Sequence, residues 1–341
     1  MKGLRDISVL FLKSVAGKNC RLLDSTAASG IRGIRYAKET GIKHITMLDI
    51  NKAAALSARS NSRSNKVKAE VRAESIQRFA NTTERRFDII DLDPFGSPVP
   101  QLHDLMKIID GNGILMVTAT DTAVLCGAHE AACLKTYHAK PLHNYLCKEV
   151  GLRILMAHVA RVASPFNLGI APMLSISDMH YMRIFLQMSS GAESALNSLK
   201  QTGFCTFCGN CMEFSLSKGT IPAFSHLCRT CGRQLDKAGP MWIGNLYDKK
   251  VVGKIAMLAK GMADAPEAQR KLEVINGEID VPMFYSIPKL TKRLRVTAIS
   301  PSKVIERLVA AGFAATRTQF DNDSIKTDAA SSDVTSAVLG R

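Results

Sequence analysis

Along the first half of the chain, short apolar runs recur between longer stretches whose apolar residues fall at helical spacing. The runs are NCRLLD (Asn19 to Asp24), HITMLD (His44 to Asp49), KAEVRAE (Lys68 to Glu74), FDIIDLD (Phe87 to Asp93) and GILMVTAT (Gly113 to Thr120). Each has the length of a strand, and GIRYAKETG, NKAAALSARSNSR and SPVPQLHDLMKIID between them are long enough for crossover helices. Such alternation predicts an α/β fold built on a doubly wound, mostly parallel, Rossmann-like sheet. APMLSISDMHYMRIFLQM, interrupted by Asp178 and His180, is expected to supply the late strands of the same sheet.

SSGAESALNSLKQTG (Ser189 to Gly203) is small and polar and reads as a linker. It divides the chain into an expected sheet domain, 1–190, and a smaller α+β domain, 191–341. The second part has a helical pattern around Val251 to Asn276, then helix, loop and helix across DVPMFYSIPKLTKRLRV and SPSKVIERLVAAGF. No internal repeat interrupts this plan.

The fourth run carries Asp88, Asp91 and Asp93 and stops at Pro94. Carboxylates are rarely buried without a partner, and proline cannot donate to a central ladder, so this strand delivers polar atoms to a cleft. An exocyclic base amine is a poor nucleophile because its lone pair is delocalised into the ring. A carboxylate and a backbone carbonyl at a proline can accept its N–H bonds and aim the lone pair at an electrophile, with an aromatic ring stacked on the base. Asp93, Pro94 and Phe95 are the candidates for these catalytic roles.

The turn after the first strand, DSTAASGIRG, has only Gly30 and Gly33 where a dinucleotide fold prefers G-x-G-x-x-G. It demands no pyrophosphate, and an S-adenosylmethionine (SAM) pocket has none to cradle. Asp49 closes the second run, where doubly wound folds place a carboxylate for ribose hydroxyls, and Glu74 and Ser75 close the third, where they would face an adenine edge. Acidic strand ends also cap helices, so the joint placement carries the cofactor reading.

Lys and Arg total 45 against 30 Asp and Glu, a formal charge of +15 that favours a polyanionic partner, nucleic acid first. The basic run KLTKRLRV (Lys289 to Val296) is the first choice for phosphate contacts. No apolar run approaches the ~20 residues that cross a bilayer, and the N-terminus lacks signal-peptide features, so no membrane association and a cytoplasmic location are expected. No protein partner is inferred.

Five of the nine cysteines fall between Cys205 and Cys231. Cys205-x2-Cys208 and Cys228-x2-Cys231, about 20 residues apart, have the spacing of a structural four-thiolate zinc site within 203–233. Glycine follows each pair, at Gly209 and Gly232, which favours Cys205 as a ligand. Cys211 offers a second C-x2-C register with Cys208, and His226 is nearby, so the ligand set is not unique. An unligated or redox-active thiol cluster is the competing reading. Cys126 in VLCGAH reads as a buried structural thiol, because nothing near it in sequence supplies a base.

DLDPFGSP, with RDISV, SGIRGIRYA, TATDTAVLCGAH and TRTQFDNDSIKTDA, resembles the tRNA guanine-26 N2-dimethyltransferase family from one end of the chain to the other. The resemblance implies SAM-dependent transfer of one or two methyls to the guanine N2 of tRNA. It also implies cofactor contacts from Arg5, Arg32, Asp49, Glu74 and Ser75, and a catalytic acid at Asp93. The chain departs from the family at Leu4, where Asn is expected within an Asn-Arg-Asp triplet, and Asp93-Pro94-Phe95 departs from the acid/amide-Pro-Pro-aromatic signature of amino-group methyltransferases, which it otherwise resembles, in having one proline before Phe95 and Gly96 after it.

Overall fold

The computed structural model describes residues 2–221, 225–262 and 265–341. At its centre lies a seven-stranded sheet of β1 (Arg21–Asp24), β2 (His44–Leu48), β3 (Ala69–Arg72), β4 (Phe87–Leu92), β5 (Ile109–Ala119), β6 (Leu168–Ser177) and β7 (Met182–Ser190). Their order is β3-β2-β1-β4-β5-β7-β6. The first five strands are parallel, and β7 runs antiparallel to both β5 and β6. Leu22, Leu23, Ile89, Ile90 and Leu92 are fully buried, as strands covered on both faces require.

The expected crossovers form α2 (Ile31–Thr40), α3 (Lys52–Ser64) and α5 (Val99–Ile108); a further helix, α4 (Ile76–Thr82), joins β3 to β4, and α1 (Lys2–Val15) lies ahead of the sheet. After β5 come α6 (Thr122–Leu125), α7 (Glu130–Tyr137) and α8 (Cys147–Ala163). Because β1 pairs with both β2 and β4, the strand order reverses there, and a crevice opens at the carboxyl ends of these strands.

The expected linker is not one. Ser189 and Ser190 complete β7, and the following residues form α9 (Ala192–Leu199) against edge strand β6. The Ser198 hydroxyl accepts from Ile170 N at 2.7 Å and donates to Ile170 O at 3.1 Å. A Cβ on Gly169 would lie 2.4 Å from the Ser194 carbonyl oxygen. Small polar residues serve close helix-to-strand packing here, which composition alone does not separate from flexibility.

The second half holds an antiparallel sheet of β8 (Thr202–Phe207), β9 (Phe214–Lys218) and β10 (Asp236–Trp242), then α10 (Lys249–Lys260) and α11 (Pro266–Gly277). A last unit joins β11 (Tyr285–Ser286), α12 (Ile287–Leu294), α13 (Pro301–Ala310), β12 (Ala315–Arg317), β13 (Ser324–Thr327) and α14 (Ser331–Leu339). One hydrophobic core runs from Leu4 to Val338 through both halves. Fully buried charges cross between them: Glu149 on α8 meets Arg153 at 2.7 Å and Lys326 on β13 at 3.3 Å, and Lys326 reaches Glu278 at 3.0 Å.

Candidate active site

The crevice is a cleft of about 300 Å³ lined by Ser25 and Thr26 after β1, Asp49 and Ile50 after β2, Glu74 to Gln77 after β3, and Pro100, Gln101 and Asp104 on α5. Gly30 sustains the turn into α2 at φ 79°, with Ala58 of α3 only 3.0 Å from where its Cβ would be. Asp49 fixes the turn by accepting from Ala28 N and Asn51 N, each at 2.8 Å. Each carboxylate oxygen therefore keeps acceptor capacity for a ligand. Ser75 caps α4 by accepting from Arg78 N at 3.2 Å, and Glu74 accepts from Arg72 at 3.4 Å. Gln101 Oε1 is buried in this wall without a partner.

Of the five cofactor candidates, Asp49, Glu74 and Ser75 meet at this cleft. Arg5 on α1 and Arg32 on α2 are not among the lining residues. The residues present fit SAM: Asp49 can take ribose hydroxyls, and the orphaned Gln101 oxygen can take an amine.

Asp93 follows β4 at the edge of the cleft, its amide donating to Thr26 Oγ1 at 3.0 Å. Its carboxylate pairs with Arg32, which also stands 3.8 Å from Asp91. Asp91 is fully buried and accepts from Tyr36 Oη at 2.6 Å and from Arg183 Nη2 at 2.9 Å. Burial opposes its ionisation, yet Arg183 and Arg32 hold its carboxyl below the usual range. Asp24, also buried, accepts from Gly33 N at 3.1 Å. Burial first, and then the Asp91 charge, push its carboxyl well above that range.

Pro94 is buried, whereas the Phe95 ring stands 96% exposed on the rim, a large apolar face with no protein surface to cover it. Gly96 turns the chain at φ 80°. Its amide donates to Thr120 Oγ1 at 2.6 Å, and its carbonyl accepts from Thr120 N at 2.9 Å. Beyond it, Ser97 donates to Tyr137 Oη at 2.9 Å, and Tyr137 donates to Asp121 at 2.8 Å. The tripeptide is thus held from the residue after β5 and from α7, with the Phe95 ring facing outward and the Asp93 carboxylate mostly covered beside Arg32.

The cysteine cluster is built from a different register than the sequence favoured. Cys208, Cys211, Cys228 and Cys231 bring their sulfurs within 4.8 Å of one another, with Cys208 to Cys231 and Cys211 to Cys228 both at 3.4 Å. Cys205 is excluded because it lies inside β8, its thiol buried in the main core, pointed at Thr206 O and pushed up to about 12 by burial. Two like turns explain the pairing. Met212 N donates to Cys208 O at 2.9 Å and Cys208 N to Glu213 O at 2.8 Å; Gly232 N donates to Cys228 O at 2.8 Å and Cys228 N to Arg233 O at 2.7 Å. The left-handed residue matching Gly232 (φ 70°) is Met212 (φ 63°), not Gly209. Four sulfurs this close fit a tetrahedral zinc, whose ligands stand about 3.8 Å apart at Zn–S 2.3 Å.

Residues 1–339 match the family described as N2,N2-dimethylguanosine tRNA methyltransferase. The chain belongs to that family. Among relatives of the N2,N2-dimethylguanosine tRNA methyltransferase family, the tRNA (guanine(26)-N(2))-dimethyltransferase of Thermococcus kodakarensis is 37% identical, over 95% of this chain and 88% of its own. That of Methanothermobacter thermautotrophicus is 33% identical over 98% and 90%. The solved complex of Trm1 from Pyrococcus horikoshii with S-adenosyl-L-methionine superposes with a TM-score of 0.92 at 34% identity, covering 99% of this chain and 92% of that one.

In this dimethyltransferase-family chain, sequence reasoning missed the support beneath the site: Thr26, Asp24, Tyr36, Asp91, Arg183, Thr120, Asp121 and Tyr137. Periodicity marks Asp91 and Arg183 only as charges inside apolar strands, which is itself the available signal. Thr120 and Asp121 fall in TATDTAVLCGAH, a stretch quoted for resemblance without a role.

Proposed function

We propose that this protein methylates the exocyclic N2 of guanine 26 in tRNA, once and then again, with SAM as donor. The observation that carries the reading is Asp93-Pro94-Phe95, held rigidly at the end of β4 beside a cleft that fits SAM. SAM, when bound, supplies an electrophilic methyl. Asp93 accepts one N–H of the guanine amine and the Pro94 carbonyl the other, so the nitrogen lone pair turns toward the cleft. Phe95 stacks on the extruded base, and Asp93 takes the proton that leaves the amine. Asp49 holds the cofactor ribose, with Glu74 and Ser75 at the adenine side, and Arg32 holds Asp93 in place.

The second half, 191–341, is assigned to tRNA. Its exposed Lys289, Lys292 and Arg295 on and after α12 contact phosphate, and Arg293 donates to Cys211 O at 2.7 Å, tying that helix to the cysteine cluster. Structural zinc held by Cys208, Cys211, Cys228 and Cys231 braces this surface without entering the reaction. Among the described residues no helix is long and apolar enough to cross a membrane. Nucleoside mass spectrometry of unmodified tRNA incubated with the protein and SAM tests the proposal. N2-methylguanosine followed by N2,N2-dimethylguanosine at position 26 is the expected product, and methylation at another base or none rejects the reading.

A further inference from the structure

On the sheet half, the surface beside the cleft carries charge of one sign. Ile50 to Ala69 contains Lys52, Arg59, Arg63, Lys66 and Lys68 and neither Asp nor Glu, so these 20 residues supply five of the chain's formal +15. All five cations are exposed. Exposed helix faces ordinarily mix signs, with acids toward the N-terminus. In α3 the first turn has no acid, and Lys52 stands at its first position, where the helix dipole disfavours a cation. That placement works against helix stability, so folding does not account for it.

The cations form one line. At about 100° per residue, positions 52, 59 and 63 fall within about 40° of one another around α3, and a rise of about 1.5 Å sets them about 10 Å and then about 6 Å apart along the axis. Ala55, Ala58 and Ser62 bury the inner flank, while Ala53, Ser57, Ser60 and Ser64 keep the outer surface low. Arg59 is steadied by donating from Nη2 to Val71 O at 2.8 Å. Near the far end Lys38 of α2 joins the line, donating to the neutral Asn65 Oδ1 at 3.4 Å.

One end meets the cleft and the other a second hollow. Asn51 caps α3 by accepting from Ala53 N at 2.8 Å, and its own amide donates to Asp49 in the cleft wall at 2.8 Å. β2 lies two strands from β4, about 10 Å at the usual strand spacing, so the line starts beside the strand end that carries Asp93 and Phe95. At the opposite pole Arg21, Lys43, His44, Lys68 and Arg85 line a hollow of about 820 Å³ with Glu70. Glu70 is already matched by Arg72 at 2.6 Å and Arg85 at 2.5 Å. Lys43, Lys52, Arg63 and Lys68 have no acidic partner among the described residues.

We infer that this line, from Lys52 down α3 to Lys43 and Lys68, holds the sugar–phosphate backbone of tRNA beside the extruded guanine, a placement that rests on the tRNA reading above and gives the sheet half a contact surface of its own, apart from α12. Cations among small polar side chains suit backbone contacts, which fix position without reading sequence. A strand held there has its phosphates anchored next to the site while the base is turned out toward Phe95.

The test uses the full-length, zinc-loaded protein. Lysine acetylation with and without unmodified tRNA should show Lys52, Lys66 and Lys68 protected by the RNA, and Lys200, exposed beyond the opposite edge strand β6, unaffected. In the combined variant Lys52→Gln, Arg63→Gln, Lys68→Gln, the slope of log affinity for tRNA against log salt should become shallower by about 0.7 to 0.9 for each phosphate no longer neutralised. SAM affinity, zinc content and the melting midpoint should hold. Equal acetylation of the three lysines with and without tRNA would overturn the inference, as would an unchanged slope in a variant that melts like wild type; in both cases methylation of guanine 26 by the wild type would leave the tRNA reading standing. A slope made shallower for heparin but not for tRNA would give the line to another polyanion and also overturn it. Wild-type protein that neither binds nor methylates tRNA would reject the tRNA reading and the inference with it.

Discussion

Arg32 pairs with Asp93 while standing 3.8 Å from Asp91, so one buried guanidinium spans both carboxylates at the end of β4. The two acids are not equivalent. Asp91 has no exposed surface and is enclosed by Tyr36, Arg183 and Arg32, whereas the Asp93 side chain keeps 15% of its surface and, among the described residues, pairs with Arg32. Of the two, only Asp93 is open to an approaching amine. Asp91 neutralises the charge beneath it and keeps Arg32 fixed.

Asp93→Ala is therefore expected to lower turnover roughly 10²- to 10⁴-fold, the usual range for a positioned acid-base group. SAM affinity should stay near wild type, because the cleft wall is built by Asp49, Glu74 and Ser75. Asp93→Asn separates the two parts of the role. An amide oxygen can orient the amine but cannot take its proton, so single-turnover rates near those of Asp93→Ala would assign the loss to proton acceptance.

Asp91→Ala should act on folding instead. It leaves the fully buried Arg183 without its carboxylate, and breaking a buried pair this way costs about 3–5 kcal/mol. Chemical denaturation measures it directly. A variant as stable as wild type would mean that Thr118, which accepts from Arg183 at 2.6 Å, suffices to hold that guanidinium.

The contrast shows how much of the site was legible. The strand ends were, because apolar runs ending in Asp49, Glu74 and Asp93 place carboxylates at one edge of a parallel sheet whatever the details of packing. The network beneath was not, because Arg183 reaches Asp91 from an antiparallel strand beyond β5, a pairing that local pattern does not encode. The zinc register failed for a local reason: a glycine follows Cys208, but the residue in the left-handed conformation is Met212, whose side chain gives no hint of it. The supposed linker failed because Ser198 and Gly169 are chosen for close packing.

Zinc removal tests that corrected register. Cys211→Ser or Cys228→Ser should reduce metal well below one zinc per chain and destabilise the second half, since a structural zinc contributes folding free energy directly. Cys205→Ser should keep full zinc, because its thiol faces the core inside β8. Metal analysis after chelator-free purification decides it; zinc loss in Cys205→Ser with retention in Cys211→Ser would restore Cys205 as the ligand.

Acid should expose His158. Burial brings it down to about 4 from an ordinary 6.5, so the folded protein keeps the ring neutral while the unfolded chain takes up a proton. Between pH 6.5 and 4 the unfolded state binds more protons, and stability falls as the pH is lowered through that window. The full contribution is present above pH 6.5. His158→Gln should remove about 2 to 3 kcal/mol of this loss, seen as a flatter dependence of unfolding free energy on pH than in wild type. Parallel pH dependences would place the acid sensitivity elsewhere.

The surface proposed for tRNA gives a prediction that separates charge from architecture. Lys289, Lys292 and Arg295 are exposed around α12, while Arg293 on the same helix is engaged with the Cys211 carbonyl. Replacing Lys289, Lys292 and Arg295 together by Gln removes the cations proposed to meet phosphate without touching that anchor. Affinity for tRNA should weaken, and the slope of log affinity against log salt should become shallower by about 0.7 to 0.9 for each phosphate no longer neutralised. SAM affinity, governed by the opposite half, should not change. Arg293→Gln should behave differently, lowering the thermal midpoint and loosening zinc while changing the slope by less than a single phosphate does. An unaltered slope in the triple variant would move the RNA path off α12, and a slope change in Arg293→Gln as large as in the triple variant would make Arg293 a phosphate ligand in place of an anchor.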